Sequence, residues 1–167
     1  MIPTPRRLAD DDDLDALTDL LHRAYAPLAA QGLRYWATHQ SVDDTRRRCA
    51  EGETWVIAED GRILATATLA PPDRSGNCPL YARPDVAHVH QLAVDPDHQG
   101  RGLAHRLMDH LEDRARALGA AMIALDTSEH ATALIGTYTR RGYHQVGEAD
   151  WRPQVNYRSV LLGKALR

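Results

Sequence analysis

Apolar side chains at Leu14, Leu17, Leu20, Leu21, Ala24, Tyr25 and Leu28 recur at three- and four-residue steps, the stripe of an amphipathic helix. The run Asp10 to Asp13 stands just ahead of it, where carboxylates suit the positive end of a helix dipole. A helix start therefore explains those aspartates better than a metal site does. Pro27 predicts a kink or an end to this helix. Ser41 followed by Asp44 has capping-box spacing, with Asp in place of Glu or Gln, and opens a short helix through 46–49 that stops near Gly52. Its run Arg46, Arg47, Arg48 reads as a solvated face, with contact to an anionic ligand as the other reading.

Residues 54–58 and 63–69 are rich in strand formers and flank Asp60-Gly61, a strong hairpin signal. Pro71, Pro72, Gly76 and Pro79 mark an irregular stretch suited to a substrate-facing loop. Residues 86–94 read as a strand. A clean helical stripe follows at Leu103, Ala104, Leu107, Met108, Leu111, Ala115 and Leu118, closed by Gly119. The apolar run 121–125 has strand length, a helix is predicted over 131–141 with Gly142 ending it, and 143–146 and 155–162 read as the last strands. The order is helices, a hairpin, β-α-β, then α-β-β. That predicts an α/β (α+β) fold with a mixed sheet, because the β-α-β unit needs parallel neighbours and the hairpins need antiparallel ones.

Composition narrows the function. A chain of 167 residues, 43% hydrophobic and 26% charged, is one ordinary globular domain, read here as residues 1–167. A net charge of -3 argues against a dedicated nucleic-acid binder. Cys49 and Cys78 form neither a disulfide framework nor a metal motif. The first residues turn acidic where a signal peptide needs an apolar run, and no stretch approaches the roughly 18 apolar residues of a membrane span. These features predict a cytoplasmic protein with no membrane partner. A homodimer is compatible with them, since dimers are the commonest soluble assembly.

One segment carries chemistry: Gln91-Leu92-Ala93-Val94-Asp95-Pro96-Asp97-His98-Gln99-Gly100-Arg101-Gly102-Leu103-Ala104. A strand ends near Val94, Pro96 breaks it, and two glycines open a long helix. Such a turn presents unpaired N–H groups and a positive dipole, an anion cradle. A dinucleotide fingerprint would need a third glycine where His105 stands, which argues against an NAD-type oxidoreductase, and no P-loop string exists. What remains is Q-x-x-G-x-A, filled by Gln99, Gly102 and Ala104.

That string resembles motif A of the GCN5-related N-acetyltransferase (GNAT) superfamily, [Q/R]-x-x-G-x-[G/A]. Tyr138, Gly142 and Tyr143 resemble the family's Y-x-x-x-G-[F/Y] helix end, and Asn156-Tyr157-Arg158-Ser159-Val160 is similar to the closing strand of small bacterial members. The resemblance covers nearly the whole chain, from about Arg6 to Leu166. It implies a mostly antiparallel twisted sheet whose central parallel strands splay to admit coenzyme A. It further implies that Gln99, Gly100, Arg101, Gly102, Leu103 and Ala104 wrap the pyrophosphate through main-chain N–H groups. Leu92, Ala93 and Val94 would pair with the pantetheine arm, and a main-chain N–H near Leu92 or Ala93 would polarise the thioester carbonyl. Where members often carry Asn seven residues before the Tyr, this chain has Ala131.

Acetyl transfer to an amine needs a base on one side and a donor to the departing sulfur on the other. Tyr138 occupies the family's donor position, and a packed aromatic is its plainer reading. His88 and His90 lie two apart on one strand face; they read as the base, directly or through water, or as half-buried polar residues beside a cleft. Gln91 is expected on the opposite face, packing or hydrogen-bonding in the core. A metal site would need a third ligand from His98, His105 or His110, and no metal is predicted. The resemblance implies an acetyl-CoA-dependent N-acetyltransferase acting on a primary amine of a small molecule or peptide, and with no nucleophile in a motif the transfer is read as direct. A non-catalytic coenzyme A-binding sensor is the alternative.

Overall fold

In the computed structural model, residues 1–73 and 75–167 are described. Arg74, inside the irregular stretch expected at 71–79, lies outside them. Helix α1 (Leu14–Ala30) starts where the aspartates indicate: the Asp13 side chain caps it by accepting the Ala16 N–H at 3.1 Å. Pro27 does not end the helix, which runs on to Ala30. Proline there fits the helical φ, and it removes only one N–H within a turn of the end. Helix α2 (Val42–Ala50) opens with the expected box, Ser41 Oγ accepting from the Asp44 N–H and Asp44 Oδ2 accepting from the Ser41 N–H, both at 3.0 Å.

Strands β2 (Glu53–Glu59) and β3 (Arg62–Ala70) pair through Asp60 and Gly61, whose φ values of 51° and 77° are the two positive angles a type I′ turn requires. β4 (Val86–Val94), α4 (Leu103–Ala117) and β5 (Met122–Ser128) form the predicted β-α-β unit, with the short α3 (Pro79–Ala82) ahead of it. α5 (Thr132–Arg140), β6 (His144–Ala149) and β7 (Ser159–Ala165) complete the chain. A two-residue β1 (Arg6–Arg7) adds to the edge of β2. The sheet order is β1-β2-β3-β4-β5-β7-β6, and β4–β5 is its one parallel pair among the described residues. Several boundaries differ from the sequence reading. β5 extends to Ser128, β6 to Ala149 and β7 to Ala165, and β7 begins only at Ser159, because Val155 and Tyr157 leave the sheet to pack with Tyr35 and Ala131.

The two faces of the sheet are covered separately. Leu107, Met108, Leu111 and Ala115 of α4 pack on Ala65, Ala67, Leu69 and Val89, while Leu17, Leu20 and Leu21 of α1 meet Ile63 and Ala93 on the other side. Leu107 is fully buried, and its truncation to Ala costs roughly 2–5 kcal/mol by the cavity left behind.

Two irregularities shape the centre. In β4, Gln91 and Leu92 together stand opposite Ala67 alone, because Thr66 pairs with Ala93 and Thr68 with His90. This bulge holds Gln91 at φ 59°. Beside it, β4 and β5 stay in register only over Val86–Met122, Ala87–Ile123 and His88–Ala124. Beyond His88 the two parallel strands separate.

Candidate active site

The separation of β4 from β5 opens a cavity of about 400 Å³. Its walls run from Gln99, Ala104 and His105 at the start of α4 to an aromatic group of Tyr25, Tyr35, Trp36, Trp151 and Tyr157. Tyr25 and Tyr35 lie 5.4 Å apart by ring centroid, and Tyr35 and Tyr157 lie 4.8 Å apart. Tyr35 is locked by hydrogen bonds with Thr127 Oγ1 (2.6 Å) and from the Ser128 N–H (3.1 Å). Tyr25 donates its hydroxyl to the Leu92 carbonyl oxygen at 2.7 Å, fixing the bulged backbone from the side of α1.

Of the expected cofactor residues, Leu92, Ala93, Val94, Gln99 and Ala104 line this cavity. Gly100 and Gly102 take φ values of 80° and 81°, in the left-handed region that favours glycine. Gly102 is the N-cap of α4, with no side-chain cap and no acidic residue in the first turn. The N-terminal N–H groups of α4 are thus left for an anion. Leu103 buries its side chain in the core and offers only main chain, and Arg101 is turned outward to Glu59, 3.3 Å away. Gly100 and Gly102 leave the backbone of this turn open to close approach by an anion. Ala131, at the expected asparagine position, is a buried N-cap without a side-chain hydrogen bond.

Tyr138 sits in the last turn of α5 and lines the cavity, its ring 5.8 Å from Tyr143 in an edge arrangement. Burial raises its pKa above the ordinary phenol value, so it is protonated at neutral pH. Its hydroxyl makes no hydrogen bond with the described residues.

The two histidines part ways. His88 stacks on Tyr81 at 4.1 Å with nearly parallel rings and does not line the cavity; burial lowers its pKa to about 4. His90 lines the cavity with neither ring nitrogen hydrogen-bonded among the described residues, and Glu51 Oε2 is 3.7 Å from its Nε2. Burial first, then the nearby Arg48, pushes its pKa well below the usual imidazole value. Gln91 is not on the opposite face as strand alternation predicts. The bulge turns it toward α2, where its amide meets Gln40 (2.9 Å), Thr68 (3.4 Å) and the Cys49 sulfur (3.8 Å). Its role in core hydrogen bonding stands.

Two further residues line the cavity. Arg48 belongs to the run that reads as a solvated face or an anion contact, and its neighbours Arg46 and Arg47 do pair with Asp43 and Asp44 at the surface. Arg48 instead turns inward, donating to Gln40 Oε1 at 2.8 Å and lying over the Trp36 ring at 5.5 Å. Asp126, on the extension of β5, accepts from Tyr81 Oη (2.6 Å) and Trp151 Nε1 (3.1 Å), and burial raises its pKa. Among the described residues no group of three or more His, Cys, Asp or Glu side chains is placed to hold a metal ion, Cys49 and Cys78 are free thiols, and no helix is long and apolar enough to cross a membrane.

Comparison with known proteins agrees with this geometry. The acetyltransferase (GNAT) family model matches residues 14–143. The S-(2-succino)cysteine N-acetyltransferase of Bacillus subtilis (strain 168) is 35% identical over 146 residues, which cover 86% of each chain. Among solved structures, a GCN5-related N-acetyltransferase from Rhodopseudomonas palustris shares the fold with a TM-score of 0.75 at 21% identity, covering 99% of this chain and 96% of its own. The ribosomal-protein-S18-alanine N-acetyltransferase from Escherichia coli does so with a TM-score of 0.72 at 20% identity, over 98% and 93% of the respective chains.

Proposed function

The chain belongs to the acetyltransferase (GNAT) family and is an acetyl-CoA-dependent N-acetyltransferase, and from that premise we propose how its own residues carry the transfer to a primary amine. The observation that carries the reading is the splayed β4–β5 gap, with a bare helix N-terminus at one end of its lining and Tyr138 and His90 in its walls. Acetyl-CoA supplies an activated acetyl thioester. The N–H groups of residues 99–104 hold its pyrophosphate, and the main chain at Leu92, Ala93 and Val94 aligns its amide-rich arm like an added strand. The bulge frees main-chain N–H near Leu92 or Ala93 to donate to the thioester oxygen as negative charge grows there.

His90 takes the proton that the amine gives up as the new C–N bond forms, directly or through one water. Tyr138 gives its hydroxyl proton to the sulfur as the C–S bond breaks. Exchange with solvent then discharges His90 and restores Tyr138, so the net products are an N-acetylated amine and the free thiol. No residue is acylated. His88, under Tyr81 and away from the cavity lining, supports the strand instead of moving protons.

The test is a free-thiol assay with acetyl-CoA and a panel of primary amines. Amine-dependent thiol release and a mass increase of one acetyl group on the amine support direct transfer. An acetylated protein trapped by mass spectrometry would overturn it, and coenzyme A binding with no amine turnover would favour the sensor reading.

A further inference from the structure

Among the described residues, the acceptor side of the cavity holds a cation that makes no direct ion pair, with Glu51 and Asp126 acting on it only through space. Most described arginines pair with a carboxylate, and of those that do not, Arg34, Arg106, Arg140 and Arg167 are exposed. Arg48 is the one that is not. Its Nη1 hydrogen bond goes to Gln40 Oε1, a neutral acceptor, while Nε and Nη2 make none among the described residues. Gln40 is itself fully buried and held by its amide to Thr45 Oγ1 (2.8 Å) and Gln91 Oε1 (2.9 Å). Trp36 supports the guanidinium from one side. These contacts fix the fork without neutralising it. Arg48 is half-buried, and a guanidinium partly withdrawn from water with no ion pair gains most when an anion enters the cavity beside it.

Asp126 is the cavity's own carboxylate, and no ion pair joins it to Arg48 among the described residues; its oxygens are taken by Tyr81 and Trp151. Nor is Arg48 placed for the cosubstrate's phosphates. It lies beside His90, and roughly 13 Å of strand separates His90 from Val94, after which residues 99–104 form the anion cradle. The cavity thus carries two anion sites at different points along β4.

We propose that Arg48 receives a carboxylate of the acceptor, so that the acceptor is an amino-acid-type molecule bearing a carboxylate together with its primary amine. The planar fork, with Nε and Nη2 free, matches a carboxylate in bidentate geometry. His90, next to Arg48, then faces the amine on the same molecule, and the surrounding aromatic rings suit the amine while it is still an ammonium. This assignment rests on the acetyltransferase reading and adds the substrate class to it.

The experiment compares thiol release with the common L-amino acids against release with their carboxamides, and with spermidine as a carboxylate-free cation. Each acid and its amide present the same amine, so their kcat/KM ratio reports the carboxylate alone. At least one acid is expected to exceed its amide about tenfold to a hundredfold, the value of a charge-assisted hydrogen bond. Arg48→Gln should raise KM for that acid by a similar factor and bring the ratio near one, with KM for acetyl-CoA unchanged, and Arg48→Lys should keep part of the preference. If Arg48→Gln fails to fold, the wild-type ratio still decides. Preference for the amides or spermidine, or no turnover of any carboxylated amine, overturns the assignment while amine acetylation itself stands or falls on its own measurement. Failure of coenzyme A to bind by calorimetry is the separate result that overturns the reading beneath it.

Discussion

Asp95 and Arg62 meet at 2.7 Å at the point where β4 ends and the turn into α4 begins. The Asp95 carboxylate is fully buried and also accepts from Arg23 (3.1 Å) and the Asp97 N–H (2.9 Å), while its own N–H donates to the Leu64 carbonyl at 2.7 Å. One side chain thus joins α1, β3 and the turn that leads to Gln99. Burial by itself would raise its pKa; the hydrogen bonds from Arg23 and Asp97 and the two guanidinium charges outweigh that and bring it to about 2, from an ordinary 3.8. A carboxyl with a lowered folded pKa stabilises the protein above its unfolded value and loses that contribution as pH falls. Stability should therefore decline from about pH 5 toward pH 2, and Asp95→Asn should shrink the decline and cost on the order of 2 kcal/mol at neutral pH. Urea unfolding across that range reads both, and an unchanged acid slope in the variant would refute the anchor.

Tyr138→Phe keeps the ring that meets Tyr143 and removes only the hydroxyl, which no described residue occupies. Where departure of the sulfur limits turnover, kcat should fall by about 10²–10⁴ with KM for acetyl-CoA nearly constant. Steady-state kinetics separate this from a packing role, which would move affinity and stability and leave kcat alone.

His90 is held neutral by burial and by Arg48, so it stays competent as a base below the pH where a free imidazole would protonate. At saturating acceptor, the kcat profile should stay level from neutrality through pH 6.5 and fall only below it. His90→Gln should lower kcat and remove that limb, whereas His88→Gln should keep the limb and reduce stability through the lost stack on Tyr81. An unaltered limb in His90→Gln would mean that the proton leaves through water.

Gly102 caps α4 at φ 81°, with the Ile2 side chain the nearest group a Cβ would meet, at 3.6 Å. Space is sufficient, so Gly102→Ala should cost only the left-handed backbone strain of roughly 1–2 kcal/mol. Gly102→Asp adds a carboxylate where the helix end is positive and should abolish coenzyme A binding by calorimetry. Equal affinities for coenzyme A in the two variants would place the cradle elsewhere.

The parts of this fold that sequence shows are those set by local repetition. The α4 stripe, the Asp60-Gly61 hairpin and the Ser41 box are each written in neighbouring residues, and the glycines before α4 mark the turn that opens that helix. The bulge at Gln91 has no such mark, because any residue can be turned out of register when a helix clamps the backbone, as Tyr25 does at Leu92. That single extra residue is why alternation misplaced Gln91. Val155 and Tyr157 alternate like a strand, yet the Tyr35 ring draws them into the cavity wall. Arg48 is indistinguishable in sequence from Arg46 and Arg47; only the direction in which α2 presents it, toward Gln40 and Trp36, separates it from the surface pair.

The parallel seam has a mechanical consequence. Three register pairs, Val86–Met122, Ala87–Ile123 and His88–Ala124, are the strand pairing that joins a four-strand half of the sheet to a three-strand half. A short ladder of this kind makes the line between β4 and β5 the joint most easily sprung, and it is the same line the pantetheine arm would occupy. A bound cosubstrate would act there as mortar, supplying backbone partners that the chain itself does not provide. At a hundred times its dissociation constant, such a ligand adds about 2.7 kcal/mol to the folded state, so the free protein should breathe along this joint and the loaded one should close it.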